Sequence, residues 1–102
     1  MLKKKFFKTK TECEVVFELS PKDAQQVELV CELNEWEPIE MKKNRQGAFR
    51  TRLRFPKEGR FQFRYLVDQN VWVNDDDADG YLPNQFGGKN GILDTSPPEL
   101  PS

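Results

Sequence analysis

Histidine is absent from the whole sequence. That removes imidazole as a metal ligand and as the usual proton shuttle near neutral pH, leaving any acid–base work to perturbed carboxylates or lysines. Cysteine is scarce. Cys13 and Cys31 are too few for a metal cage and fall far short of a disulfide scaffold. Both read as small buried hydrophobes with reduced thiols, and the compartment expected is the cytoplasm. No apolar run is long enough for a membrane span, and "MLKKKFFKTK" lacks the apolar stretch that follows the basic start of a signal peptide. Phosphate-cradling glycine loops and nucleophile motifs are missing too, and no segment holds a 3.6-residue period.

Charge of one sign is also lacking overall. A net charge of −1 gives no global field to attract nucleic acid or an anionic membrane, and neither is expected as a partner. The balance hides a basic start, with Lys3, Lys4, Lys5, Lys8 and Lys10 close together. Cations interleaved with rings in "KKKFFK" can bind a phosphate backbone. One short run, with no second basic patch beyond the row Arg50, Arg52 and Arg54, reads instead as a solvated arm or edge strand.

Aromatic residues are plentiful at 12%, eight of them Phe, and suit one folded domain. A chain of 102 residues buries about 65% of its unfolded surface. The dominant period is two. "ECEVVFEL" alternates Cys13, Val15, Phe17 and Leu19 with glutamates; "VELVCEL" does the same with Val27, Leu29, Cys31 and Leu33. As a hairpin, these two strands would put Cys13 and Cys31 on one inner face. "GAFRTRLRF" sets Phe49, Thr51, Leu53 and Phe55 against three arginines. "RFQFRYLVD" sets Phe61, Phe63, Tyr65 and Val67 against Gln62, Arg64 and Leu66. A short strand "VWVN", an acidic loop over 75–90 and a last strand "GILDT" follow. The pattern predicts an all-β fold, a β-sandwich of about seven to eight short antiparallel strands. Its expected divisions are a basic arm or edge strand over 1–11, the sandwich over 12–95 and a proline-rich tail over 96–102.

The acidic loop "VWVNDDDADGYLPN" contains Asp75, Asp77, Asp79 and Gly80 in the D-x-D-x-D-G spacing of a calcium loop. A bidentate carboxylate is required at the twelfth position, where this chain has Phe86, and the flanks are β-like. A solvated turn explains the same letters, so no metal or other cofactor is expected. Glycoside cleavage would need two carboxylates about 5 to 9.5 Å apart across a cleft. Acidic residues abound without a recognisable pair, and a catalytic role is not expected.

The two tryptophans say more. Trp36, in "LNEWEP", sits among polar neighbours before a proline and reads as a loop residue. Trp72 lies between Val71 and Val73 and so faces away from what those valines cover, while Arg64 points outward one hairpin away. Exposed indoles beside a planar guanidinium form a platform with flat apolar faces and forked donors. That suits a sugar, whose ring faces carry C–H groups and whose rim carries hydroxyls. Burial of one or both rings in the core is the alternative.

"VELVCELNEWEPIEMKK", "GAFRTRLRFPKEGRFQFRYLVDQNVWVNDDDA" and "NQFGGKNGILD" together resemble the family-48 carbohydrate-binding modules, from about Cys13 to Thr95. That family includes the glycogen-binding domain of AMP-activated protein kinase beta subunits and the N-terminal domains of isoamylases and branching enzymes. The resemblance implies an immunoglobulin-like, early-set sandwich that binds α-1,4-glucan without catalysing its cleavage. It implies Trp36, Arg64, Trp72, Phe86 and Asn90 as the carbohydrate-binding residues. It also makes the aspartates a loop edge beside the sugar-contacting segment. Cys31, Glu32 and Leu33 replace the family's glycine-containing block, Arg64 stands where lysine is common, and Phe86 replaces leucine. Relatives are commonly fused to glycan-processing machinery, so a glycan-processing enzyme or kinase-like protein is the alternative partner.

Overall fold

Alternating side chains carry the chain into ten strands, and no α-helix forms among residues 1–7 and 11–97, which this computed structural model describes. The strands are β1 (Leu2–Phe6), β2 (Glu12–Leu19), β3 (Val27–Cys31), β4 (Ile39–Glu40), β5 (Lys42–Lys43), β6 (Phe49–Pro56), β7 (Arg60–Val67), β8 (Val71–Val73), β9 (Gly80–Pro83) and β10 (Lys89–Asp94). One sheet has the order β1-β2-β6-β5. The other has the order β4-β3-β7-β10-β9, with β8 paired to β7. Every pairing is antiparallel. The all-β sandwich expected from the alternation is what forms. The strand count exceeds expectation because β4 and β5 are two-residue pieces and β9 arises inside the presumed loop.

The inner faces meet as the period of two dictates. β2 contributes Cys13, Val15 and Phe17, and β6 contributes Phe49 and Phe55. From the opposite sheet come Val27, Leu29, Cys31, Phe63, Tyr65, Val67 and Leu93. Phe17 bridges the sheets, its ring 5.4 Å from Phe63 at 67° and 5.9 Å from Phe55. Phe63 meets Tyr65 edge-on at 5.9 Å. Such pairs add about 0.5–1.5 kcal/mol each beyond their area. Burial pushes both cysteine thiols upward in pKa, so little thiolate is present.

Three expectations need correction. β2 and β3 are not a hairpin. β2 pairs with β1 and β6, while β3 crosses to the other sheet, because the seven residues between them let both apolar faces close on one core. The presumed loop over 75–90 contains β9, paired to β10 through Lys89↔Pro83 and three further positions. Pro83 is tolerated because it ends an edge strand, where its missing N–H breaks no interior ladder. The solvated aspartate turn holds for Asp76, Asp77 and Asp79 but not for Asp75, which is 2% exposed.

Asp75 is buried for a geometric reason. It follows Val73 by two positions on the side that packs against the core, and Val73 is in register with Tyr65, whereas Val71 at the strand's start is 52% exposed, against the alternation expected there. Its Oδ2 accepts the Tyr65 hydroxyl at 2.6 Å and lies 2.8 Å from the Met1 amino group; its Oδ1 accepts the Asp77 amide. Burial, reinforced by the Asp75 bond and charge, holds the Tyr65 phenol far above its ordinary pKa. No three acidic or cysteine side chains among the described residues gather as a metal cage. No helix among them is long and apolar enough to cross a membrane. β1 pairs with β2 as an edge strand. Lys8 and Lys10 of the basic arm, and the tail from residue 98 onward, lie outside the described residues.

Tyr65→Phe should therefore destabilise the fold by about 1–3 kcal/mol, read as a lower urea midpoint at unchanged slope; an unshifted midpoint would contradict the buried bond. Native protein should expose no thiol to an aromatic disulfide reagent, both cysteines reacting only after denaturation. Rapid labelling of either in the native state would contradict their burial.

Candidate functional site

The side of β7 turned away from the core carries Gln62, Arg64 and Leu66. Its neighbours in register are Val30 on β3, opposite Arg64, and Trp72 on β8, opposite Leu66. Arg64 is thus the diagonal neighbour of Trp72, within reach of a long side chain. Its guanidinium lies over the indole, 4.8 Å from the ring centroid. A half-exposed stack of this kind contributes about 1 kcal/mol and holds both groups flat.

Trp36 approaches from a different segment. A 3-10 turn over Glu32–Asn34 follows β3, and Glu35 and Trp36 then adopt left-handed backbone at φ 61° and 66°. Such conformations cost about 1–2 kcal/mol at a non-glycine residue. Here the Glu35 amide donates to Glu32 O, the Trp36 amide to Cys31 O at 2.9 Å, and Asn34 Nδ2 to Glu37 O at 2.9 Å. These bonds hold the reversal that aims Trp36 back over the sheet.

The third wall is the turn between β9 and β10. Asn84 organises it. Its Oδ1 accepts the Phe86 and Gly88 amides at 2.9 and 3.1 Å, and its own amide donates to Gly88 O at 2.9 Å. Gly87, at φ 85°, completes the reversal and leaves Phe86 at the tip, 82% exposed. Asn84 Nδ2 donates to Asn90 Oδ1 at 3.2 Å, and Asn90 Nδ2 donates to Gln62 Oε1 at 3.0 Å, tying the turn to the sheet.

Together these segments enclose an open groove of about 870 Å³. All five residues expected in the site, Trp36, Arg64, Trp72, Phe86 and Asn90, line it. Trp36 and Trp72 are 40% and 47% exposed, so neither is a core residue. Val30, Gln62, Asn84, Gln85 and Gly88 complete the lining and are not among the residues expected from the sequence. Gln62 was legible as the outward neighbour of Arg64 two positions away. Asn84 was legible only as an Asx-turn residue ahead of two glycines. Among the described residues the lining offers ring faces and amide and guanidinium donors.

The fold is found elsewhere among solved structures. The crystal structure of the enterobactin esterase FES from Shigella flexneri, in the presence of 2,3-di-hydroxy-N-benzoyl-serine, matches with a TM-score of 0.74 at 10% sequence identity. The match covers 98% of this chain and 37% of that chain. At this identity the likeness is one of fold alone, and this chain spans little more than a third of the esterase's length. No family model matches the sequence, and no curated protein does.

Asn84→Ala should free the tip of the groove's turn without unfolding the sandwich. The Phe86 and Gly88 amides should then exchange with solvent about tenfold faster or more, read by NMR hydrogen exchange. Unchanged exchange would mean that Asn84 does not hold the turn.

Proposed function

We propose that this chain is a non-catalytic, cytoplasmic module that binds α-1,4-glucan of the glycogen or starch type along the groove. The supporting observation is the convergence of Trp36, Arg64, Trp72, Phe86 and Asn90, from separate segments, on one concavity. The resemblance to family-48 carbohydrate-binding modules belongs to the same proposal. Trp36 and Trp72 stack on glucose faces, Arg64 and Asn90 bond hydroxyls, and Phe86 braces the loop side. By analogy with stacked bases, each indole contributes about 1–3 kcal/mol, the low end suiting a sugar. Two stacks and a few wet hydrogen bonds correspond to a Kd between about micromolar and millimolar.

A second reading is an interaction domain that docks onto a glycan-processing enzyme. In its favour, the matching fold forms only 37% of a longer esterase chain. A pulldown recovering such an enzyme, with nothing retained on glucan beads, would favour it over the first.

Calorimetry with maltoheptaose decides the primary reading. Wild type should bind, and Trp72→Ala should lose about tenfold or more in affinity. Undiminished binding by the variant would remove the groove as the site.

A further inference from the structure

Among the described residues, Arg64 is the only charged side chain lining the groove. Four glutamates lie near in sequence, yet none is among the lining residues. Glu28 is two residues before Val30. Glu32 turns its Oε1 to the Gln62 backbone amide at 3.1 Å, and Glu35 and Glu37 flank Trp36. Nor does Arg64 form an ion pair with any described residue, whereas Arg50 and Arg52 on the other sheet reach Glu18 and Glu14. Its Nε is buried without a hydrogen-bond partner. The guanidinium lies over the Trp72 face, with Nη2 directed toward Gly88, where a Cβ would stand 3.6 Å away. Glycine at 88 leaves that end of the fork uncovered.

The rest of the polar lining sharpens the imbalance. Asn84 Oδ1 accepts two backbone amides, Asn90 Oδ1 accepts Asn84 Nδ2, and Gln62 Oε1 accepts Asn90 Nδ2. Three of the four side-chain amide oxygens in the groove are therefore already engaged, that of Gln85 being the other. The guanidinium N–H groups, the two indole N–H groups and Gln62 Nε2 are donors for which no described residue supplies an acceptor. A neutral sugar hydroxyl satisfies such donors and can also donate to the lone pairs still open on Gln62 Oε1 and Asn90 Oδ1, whereas Asn84 Oδ1 already accepts twice. An anionic oxygen is a better match for a donor-rich, singly cationic surface, since charge-assisted bonds are about twice as strong as neutral ones.

We infer that the groove prefers an α-glucan bearing an anionic oxygen substituent, a phosphate ester or a carboxylate, over the neutral chain, with Arg64 as the discriminating residue. This rests on the glucan-binding reading, because the rings must still hold the sugar while the fork takes the charge.

The test is calorimetry with three ligands: neutral maltoheptaose, maltoheptaose carrying one phosphate ester, and maltoheptaose ending in a glucuronate. At about 50 mM NaCl at least one charged ligand should bind about threefold to tenfold more tightly than the neutral one, and the ratio should shrink at about 500 mM. The phosphate and carboxylate arms tell the two sources of charge apart. Arg64→Gln should bring the ratio to about one, and Arg64→Lys should restore part of it. Equal affinities for all three ligands in wild type would overturn the inference and leave the glucan reading standing. Binding of none would overturn both. A ratio that survives in Arg64→Gln, or inorganic phosphate binding as tightly as the phosphorylated chain, would also overturn the inference.

Discussion

Strand β7 governs both halves of the molecule. It is hydrogen-bonded to β3 along one edge and to β10 and β8 along the other, so its register is fixed from both sides. Phe63, Tyr65 and Val67 enter the core, and the tight contacts of Phe17 with Phe63 and of Asp75 with Tyr65 leave that face no freedom to slip. A one-residue slip would exchange the faces, burying Arg64 and exposing Tyr65. The outward placement of Gln62 and Arg64 is thus enforced by the energetics of the core, not by the groove itself. Trp72 inherits its position from the same constraint through the β7–β8 hairpin, where Asp68 and Gln69 adopt left-handed backbone. Asp68 also accepts the Gln25 and Gln26 amides through Oδ1, anchoring this hairpin to the segment before β3.

The two outer faces of the sandwich differ in chemistry. On the four-stranded sheet, Lys3 and Lys5 of β1 and Arg50, Arg52 and Arg54 of β6 flank Glu14 and Glu18 of β2. Those ion pairs are open to water, at 3.9 and 3.4 Å, and such pairs contribute little to stability. The groove on the six-stranded sheet is apolar and amide-rich with a single cation. A net charge of −1 therefore averages over a charged face and a stacking face, and neither is visible in the total. The stacking face is the one that carries the proposed glucan site.

Much of this was legible in the sequence, and the rest was hidden for physical reasons. Alternation over 12–19, 49–55 and 61–67 revealed the long strands, because a half-buried strand writes its burial pattern into every second residue. The same reasoning turned Trp72 and Arg64 outward, and polar neighbours put Trp36 in a loop. Phe86 and Asn90 came only from the family resemblance, since nothing local distinguishes them from ordinary turn and strand residues. β9 was invisible because a four-residue edge strand ending in proline lacks the alternation signal, and its pairing with β10 is set by tertiary contact. Asp75 misled for a related reason. An aspartate among aspartates looks solvated, and its burial is sustained by the Tyr65 hydroxyl, the Met1 amino group and the Asp77 amide, two of them distant in sequence. The Asn84–Asn90–Gln62 chain of amides is not legible in the sequence because it joins residues up to 28 apart that no short motif connects.

The most direct measurement is a titration of isotopically labelled protein with maltoheptaose, followed by NMR chemical shifts of backbone and side-chain N–H groups. The account predicts concerted, saturable shifts at the indole N–H of Trp36 and Trp72 and the side-chain amides of Gln62, Asn84 and Asn90, with the Lys42, Arg50 and Arg52 face silent. Shifts confined to that basic face, or no shifts at millimolar sugar, would contradict it.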